Sequence, residues 1–225
     1  MKSLNNIKIC VFDAYGTLFD VHSASEKYKD EIGELYNEFS ILWRAKQLEY
    51  SFLSEIMDDY TDFIDITANS LDYACNTFKI TSDKLKINLM SSYMELSPYS
   101  EVIKTLLKFK EKGLKLVILT NGSYKMINNA VESSGLKNIL DSVISVEEVK
   151  KFKPNKEVYK IITDKFNVNL KEVVFFSSNG WDIIGASKFG FNTIWINRFN
   201  KETEISKYTP DYIVSNLKEA LNLFE

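Results

Sequence analysis

Polar side chains follow four apolar segments of this sequence, at the point where each segment ends. Asp13 follows IKICVF, Thr120 is the last residue of KLVILT, and Asn121 comes directly after it. Lys153 lies a little beyond SVISV, and Asp182 ends the stretch SSNGWD that follows VVFF. Carboxylates, hydroxyls and a lysine can supply nucleophilic or acid–base chemistry. Each residue alone has an ordinary explanation, because Asp and Asn-Gly also serve as turn residues and helix caps.

The four apolar segments belong to a longer series of predicted strands that alternates with predicted helices. Such an alternation predicts right-handed crossovers and a parallel sheet with helices on both faces. Ligands bind outside the carboxyl ends of the strands in such sheets, so we expect the polar residues to share one edge. The predicted strands are residues 7–12, 115–120, 142–146, 173–176, 193–197 and 211–215, and the predicted helices lie near 100–112, 124–134, 155–167, 182–189 and 216–224.

A helical pattern interrupts this series after the first strand. Apolar residues repeat at spacings of three and four between about Glu26 and Met94, which is typical of amphipathic helices. The chain has three prolines, and none of them precedes residue 98. We therefore expect an α/β core made of residues 1–19 and 97–225, with residues 20–96 forming an inserted all-helical cap subdomain.

The composition is that of an ordinary globular protein with a slight excess of acidic residues. The 225 residues include 45% hydrophobic and 26% charged residues, and the net charge is −3. This balance, with Arg44 and Arg198 as the two arginines, argues against a nucleic-acid surface. No segment has the length of a membrane span. Cys10 and Cys75 lie in apolar runs, as expected for buried thiols in a reducing compartment. We expect a cytoplasmic protein with neither a nucleic-acid nor a membrane partner.

Residue types exclude several kinds of catalytic site. His22 is the only histidine, which excludes histidine-based triads and metal sites built from several histidines. The sequence contains neither a Walker-type loop nor a GxGxxG fingerprint. We therefore expect no nucleotide cofactor, and no other cofactor is indicated.

Four segments, in this order, resemble the signature motifs of the haloacid dehalogenase superfamily: FDAYGTL, LTNGS, KP followed by VY, and SSNGWD. The resemblance covers nearly the whole chain. It implies a Rossmann-like core with an aspartate nucleophile and a helical cap inserted after the first strand. Most members of that superfamily are phosphatases. The segments FDAYGTLFDVHSA and WRAKQLEY (residues 43–50) are similar to those of one branch, the (S)-2-haloacid dehalogenases.

Two positions distinguish this branch from the phosphatases. The phosphatases carry a second aspartate two residues after the nucleophile, which protonates the leaving alkoxide, whereas this chain has Tyr15. They also carry a Mg²⁺-binding aspartate where this chain has Ser178, so a hard cation loses a carboxylate ligand. Both differences favour a reaction that needs neither a leaving-group acid nor a metal ion. The departure of halide as a stable anion fits that requirement.

The resemblance implies a two-step hydrolysis of (S)-2-haloalkanoic acids to (R)-2-hydroxyalkanoic acids. Asp13 would attack the halogen-bearing carbon and form an ester, which water then opens. Lys153 would keep Asp13 ionised against the effect of desolvation. Asp182, helped by Ser177 and Asn179, would position and deprotonate the water.

The same resemblance assigns roles around the substrate. Arg44 would stabilise the departing halide and steer the anionic substrate, with Asn179 as a second donor. Tyr159 would hold Lys153 or Asp13 in place. Thr17, Thr120 and Asn121 would donate hydrogen bonds to the nucleophile or the substrate carboxylate. The apolar wall around the alkyl group would consist of Tyr15, Leu48, Phe63 and Trp181.

Two other interpretations stay open at this point. One is a Mg²⁺-dependent small-molecule phosphatase of the same superfamily, and the other is a non-catalytic binding protein with this fold. The second predicts the loss of Asp13, Lys153 or Asp182, and all three are present. Ala45 stands where many relatives carry glutamine, and its small side chain is expected to open space in the substrate pocket. Relatives are commonly homodimers, which makes a homodimer the assembly to test.

Overall fold

The centre of the protein is a parallel β-sheet. The computed structural model describes residue 4 and residues 6–224 of the chain. The sheet order is β3-β2-β1-β4-β5-β6, and every neighbouring pair runs parallel. The predicted α/β class is confirmed. The strands are β1 (Ile9–Phe12), β2 (Lys115–Thr120), β3 (Ser142–Ser145), β4 (Val173–Ser177), β5 (Asn192–Ile196) and β6 (Tyr212–Val214).

Helices connect the strands and also form the segment between β1 and β2. That segment carries α1 (Ser23–Glu26), α2 (Lys29–Ile32), α3 (Tyr36–Ile56), α4 (Phe63–Thr77) and α5 (Asp83–Met94). The connecting helices are α6 (Val102–Glu111), α7 (Tyr124–Ser133), α8 (Lys156–Phe166) and α9 (Gly180–Phe189). Short 3₁₀ helices span Val146–Glu148 and Leu170–Glu172, and a longer one spans Leu217–Phe224 where an ordinary helix was expected. The helical pattern expected before residue 94 agrees with α1–α5, whereas the domain boundaries stay a prediction.

The strand order places β1 in the interior of the sheet. Phe12 on β1 is level with Ile118 on β2 and with Phe176 on β4, so the first residue after β1 emerges between two neighbouring strand ends. All residues of β1 and β4 are buried. This explains their continuous apolar sequences, because strands covered on both faces do not alternate with polar residues. Among the described residues, no helix is long and apolar enough to cross a membrane.

An aromatic cluster packs directly beneath the carboxyl ends of β1 and β4. The rings of Phe12 and Phe176 stack with centroids 4.7 Å apart, and Phe109 lies 5.7 Å from Phe176. Both Phe176 and Phe109 are completely buried. Aromatic pairs at such distances add to the hydrophobic contribution of the buried area. The cluster therefore supports the strand ends that carry the polar residues.

We expect Phe176→Ala to lower the free energy of unfolding by about 3 to 5 kcal/mol, because it leaves a cavity under the strand ends. Urea unfolding followed by circular dichroism measures this change. The control is Phe199→Ala, since Phe199 is 60% exposed and its loss should change stability by no more than about 0.5 kcal/mol. Equal effects of the two substitutions would contradict the assignment of Phe176 to the supporting core.

Candidate active site

The carboxyl ends of β1 to β4 bring the predicted polar residues together. Asp13 follows β1, Thr120 is the last residue of β2, and Asp182 lies in the first turn of α9 after β4. Lys153 lies beyond β3, and its backbone nitrogen donates to the side-chain oxygen of Asn121 at 2.9 Å. This bond ties the lysine segment to the end of β2. The convergence expected from the parallel-sheet rule is therefore present.

The ammonium group of Lys153 lies between two carboxylates. Its Nζ donates to Asp13 Oδ1 at 2.8 Å, to Asp182 Oδ2 at 2.7 Å and to the backbone oxygen of Leu119 at 3.0 Å. The side chain is completely buried, and all three of its donors are used. Burial lowers the pKa of Lys153, but attraction to Asp13 and Asp182 more than offsets this, so the pKa lies above its ordinary value. Lys153 is therefore a permanent cation between the two acids.

The second oxygen of Asp13 accepts hydrogen bonds from three neutral donors. Thr17 Oγ1 donates to Asp13 Oδ2 at 2.9 Å, Asn179 Nδ2 at 2.8 Å and Ser177 Oγ at 3.3 Å. Burial alone would raise the pKa of Asp13. The charge of Lys153 and the hydrogen bonds from Lys153 and Thr17 outweigh burial, so the pKa lies below its usual value. Asp13 is thus held as a carboxylate.

Asp182 has a different environment from Asp13. Its Oδ1 accepts from the Tyr159 hydroxyl at 2.7 Å, and its Oδ2 accepts from Lys153. Burial raises the pKa of Asp182 to about 6, against the opposing charge of Lys153 and with a further contribution from the nearby Asp13 carboxylate. One acid of the pair is therefore ionised throughout the physiological range, while the other can accept a proton near neutral pH. Such a separation is typical of acid–base sites.

A glycine creates the space that lets Tyr159 reach Asp182. A Cβ atom at Gly185 would lie 2.4 Å from the Tyr159 hydroxyl oxygen and 2.6 Å from Pro154 Cβ. Both distances are too short for any larger residue to fit without a shift. Gly185 on α9 therefore allows the close approach of α8 that orients the hydroxyl.

A small cavity lies beside Asp13 and beneath α3 and α4. Its volume is about 10 Å³, room for about one water molecule. The Nδ2 atom of Asn121 is buried and has no hydrogen-bond partner among the described residues. The lining residues are Asp13, Tyr15, Arg44, Leu48, Phe63, Thr120, Asn121 and Trp181. All six residues assigned to the substrate from the sequence are thus in this group.

Arg44 extends from α3 toward the cavity. Its Nη2 donates to the backbone oxygen of Tyr15 at 3.2 Å, and its Nη1 donates to Gln47 Oε1 at 2.5 Å. None of the ion pairs among the described residues involves Arg44. Arg198, in contrast, pairs with Glu101 at 2.6 Å. Among the described residues, Arg44 thus has no carboxylate in direct contact, and its charge acts across the cavity, where it helps to lower the pKa of Asp13.

Three expectations about individual contacts need correction. Tyr159 holds Asp182, not Lys153 or Asp13, because its hydroxyl reaches across the space left by Gly185. Ser177 and Asn179 donate their side-chain hydrogen bonds to Asp13 and not to Asp182. Ala45 is exposed and is absent from the cavity lining, since it lies on the outer side of α3.

Sequence reasoning missed the buried polar residues behind Arg44. Gln47 accepts from Arg44, and its Oε1 also accepts from the Tyr93 hydroxyl at 2.9 Å. Its Nε2 donates to Thr67 Oγ1 at 2.7 Å. The spacing of three between Arg44 and Gln47 on one helix was the available signal. The partners on α4 and α5 have no local signal.

Other residues near the site have structural roles. The side chain of Ser123 accepts from the backbone nitrogen of Met126 and caps α7. The His22 ring nitrogen Nδ1 lies 2.7 Å from Ser40 Oγ, so this side chain links α1 to α3. Among the described residues, no group of three or more His, Cys, Asp or Glu could hold a metal ion.

Comparison with known proteins gives the family. Residues 7–190 match the model of the haloacid dehalogenase-like hydrolases. The chain belongs to that family. It is 42% identical to (S)-2-haloacid dehalogenase 4A of Burkholderia cepacia, over 97% of this chain and 92% of that protein. It is 43% identical to (S)-2-haloacid dehalogenase 1 of Pseudomonas sp. (strain CBS-3), over 96% of each chain.

Solved structures agree with this assignment. The L-2-haloacid dehalogenase from Xanthobacter autotrophicus, with chloropropionic acid covalently bound, superimposes with a TM-score of 0.90. It shares 31% identity over 97% of this chain and 98% of that chain. Family membership makes this chain a hydrolase, and its relatives place it in the (S)-2-haloacid dehalogenase branch.

We expect Lys153→Met to lower the free energy of unfolding at pH 7 by about 3 to 5 kcal/mol, because it leaves two buried carboxylates without a cation. Their pKa values in the folded variant should rise above those in the unfolded chain. The folded state then binds more protons than the unfolded state, so stability falls as pH rises. Urea unfolding should accordingly show that Lys153→Met lowers the free energy of unfolding less at pH 5 than at pH 7.

Lys151→Met is the matched control for this prediction. Lys151 lies two residues away and pairs with the exposed Asp58. Its removal should have a small effect that is equal at both pH values. A pH-independent loss in Lys153→Met would show that packing, and not charge, accounts for the effect.

Proposed function

We propose that this protein hydrolyses (S)-2-haloalkanoic acids to (R)-2-hydroxyalkanoic acids and halide through an ester on Asp13. The proposal rests above all on one observation: a buried carboxylate held in its ionised form by Lys153 faces a cavity that also receives Arg44. A desolvated carboxylate is a better nucleophile than a hydrated one. The named relatives support the choice of reaction.

In the first step, an oxygen of Asp13 attacks the carbon that carries the halogen. A carbon–oxygen bond forms as the carbon–halogen bond breaks, and the halide leaves with the bonding electron pair. Attack opposite the halogen inverts the carbon, which converts an (S) substrate to an (R) product. Before the attack, Lys153 stabilises the negative charge of Asp13. The ester that forms on Asp13 is neutral. Asp182 is then the main ionic partner of Lys153.

In the second step, water attacks the carboxyl carbon of the Asp13 ester. Asp182 takes a proton from the water, which its raised pKa allows. Collapse of the tetrahedral intermediate releases the hydroxy acid and restores Asp13. Of the two protons of the water, one ends on the new hydroxyl group and one is released to solvent. The donors on Asp13, namely Thr17, Ser177 and Asn179, can stabilise the negative charge that develops on its oxygen.

Two anions have to be bound during the reaction, the departing halide and the substrate carboxylate, and the proposed groups are Arg44 and Asn121. Arg44 carries an unpaired charge at the cavity and would bind the departing halide. The buried Nδ2 of Asn121 would donate to the substrate carboxylate, together with Thr120. Tyr15, Leu48, Phe63 and Trp181 would enclose the alkyl group.

The residue types at two positions disfavour phosphate-ester hydrolysis. Burial raises the pKa of the Tyr15 hydroxyl well above its ordinary value, so it is a poor acid for an alkoxide leaving group. Ser178 provides a hydroxyl where the phosphatases have a metal-binding carboxylate, and a hydroxyl is a weaker ligand for Mg²⁺. Halide, which leaves without a proton, needs neither group.

The purified protein should release chloride from (S)-2-chloropropionate in the presence of EDTA, and Asp13→Asn should not. Chloride is measured with an ion-selective electrode, and the configuration of the lactate is measured by chiral chromatography. Release from the (S) but not the (R) substrate is expected. Absence of release together with Mg²⁺-dependent hydrolysis of a generic phosphate ester would overturn the proposal in favour of a phosphatase.

The two pKa shifts predict that acid slows the second step more than the first. In the free enzyme the pKa of Asp182 is about 6, and in the ester it is lower, because the Asp13 charge that helps to raise it is gone. Asp182 therefore becomes protonated at a point below pH 6 and then cannot accept a proton from water, whereas Asp13, whose pKa lies below the usual range, stays ionised before the attack. The rate should fall by about tenfold per pH unit below that point. Mass spectrometry of enzyme quenched at pH 5 should find the ester on Asp13, and little of it at pH 8. Equal ester levels at both pH values would argue against Asp182 as the base.

A further inference from the structure

The amide of Gln47 is fixed in one orientation by its neighbours. Thr67 Oγ1 donates to the backbone oxygen of Phe63 at 2.7 Å, so it accepts from Gln47 Nε2. The Tyr93 hydroxyl and Arg44 Nη1 both donate to the other end, Oε1. Gln47 is completely buried, and a buried amide with these partners cannot turn over without losing hydrogen bonds. Its oxygen therefore always faces Arg44.

The network also connects Arg44 to the wall of the cavity. Tyr93 stacks on Tyr15 with ring centroids 5.8 Å apart and an interplanar angle of 11°. Tyr15 lines the cavity, and its backbone oxygen is the second acceptor for Arg44. The guanidinium group is thus held at two of its nitrogens by oxygens that carry no formal charge. A neutral acceptor fixes the direction of the group without cancelling its charge.

We propose that Gln47 is a positioning residue that directs Arg44 toward the anion-binding side of the cavity while leaving its charge available. A carboxylate at the same place would also orient the guanidinium. It would form a charge-neutral ion pair, as Glu101 does with Arg198, and would compete with an anionic ligand. The choice of glutamine over glutamate therefore sets the affinity of the site for anions. This inference rests on the proposed role of Arg44 in binding halide.

The test is Gln47→Glu, which keeps the shape of the side chain and its acceptor for Tyr93. We expect the KM for (S)-2-chloropropionate and the inhibition constant for bromide to rise by about tenfold or more. The thermal midpoint should fall as well, because the variant loses the hydrogen bond that Gln47 Nε2 donates to Thr67. The control is Lys46→Gln, which changes the net charge by the same amount on the neighbouring residue, where Lys46 pairs with Glu49. In this control variant, the KM and the inhibition constant for bromide should equal those of the wild type.

Gln47→Met removes the acceptor without adding a charge. Here kcat should fall, because Arg44 is no longer aimed at the leaving halide, while bromide inhibition persists more strongly than in Gln47→Glu. A purely structural role predicts lower thermal midpoints in both variants, with kcat, KM and the bromide constant unchanged. That result would overturn the inference.

Anion binding can be measured without turnover, which separates this inference from the proposed function. Sodium propionate, at constant ionic strength, should raise the thermal midpoint of the wild type and of Lys46→Gln but not of Gln47→Glu. A wild type that binds propionate in this way but releases no halide would contradict the proposed reaction and support the role of Gln47. If the wild type releases halide but the wild type and Gln47→Glu bind propionate equally well, the proposed reaction would be supported and the role of Gln47 contradicted.

Discussion

The buried ammonium of Lys153 is the interaction on which the rest of the site depends. Removing two carboxylates from water costs several kcal/mol for each ion, and a single cation between them offsets that cost only when its geometry is good. Here each donor of the ammonium has an acceptor within 3.0 Å. The arrangement also gives the two carboxyl groups different pKa values. The acid with further hydrogen-bond donors, Asp13, stays ionised, and the acid with fewer, Asp182, takes up a proton more readily.

The positions of the central residues could be predicted from the sequence because strand ends determine them. Asp13, Thr120 and Asp182 follow or end buried strands, and a parallel sheet brings such ends to one edge. The contacts between these residues were less predictable. Whether Tyr159 reaches Asp182 or Asp13 depends on the space left by Gly185, which is a property of helix packing and not of either motif.

The residues behind Arg44 show a second limit of sequence reasoning. Gln47 meets Thr67 across 20 residues and Tyr93 across 46, and these three residues lie on three different helices. Periodicity predicts that α3, α4 and α5 are helices, but not which buried polar residues face one another. In a bare sequence, a glutamine on an amphipathic helix resembles any solvated side chain. Its complete burial and the direction of its amide are visible only after the helices pack.

The small cavity connects the helical segment with the residues at the strand ends. A volume of about 10 Å³ has room for about one water molecule, so the proposed haloacid substrate needs part of the wall to move before it can enter. One end of α3 is bonded to the lysine segment, since Glu55 accepts from the backbone nitrogen of Phe152 and from Asn155 Nδ2, each at 2.6 Å. Arg44 lies on the same helix and contacts the segment after β1. Any movement of α3 that admits substrate therefore also moves Arg44 relative to Asp13. In the proposed reaction, Arg44 therefore lies beside Asp13 only when this wall is in place, and the same wall keeps bulk water away from the attacking carboxylate.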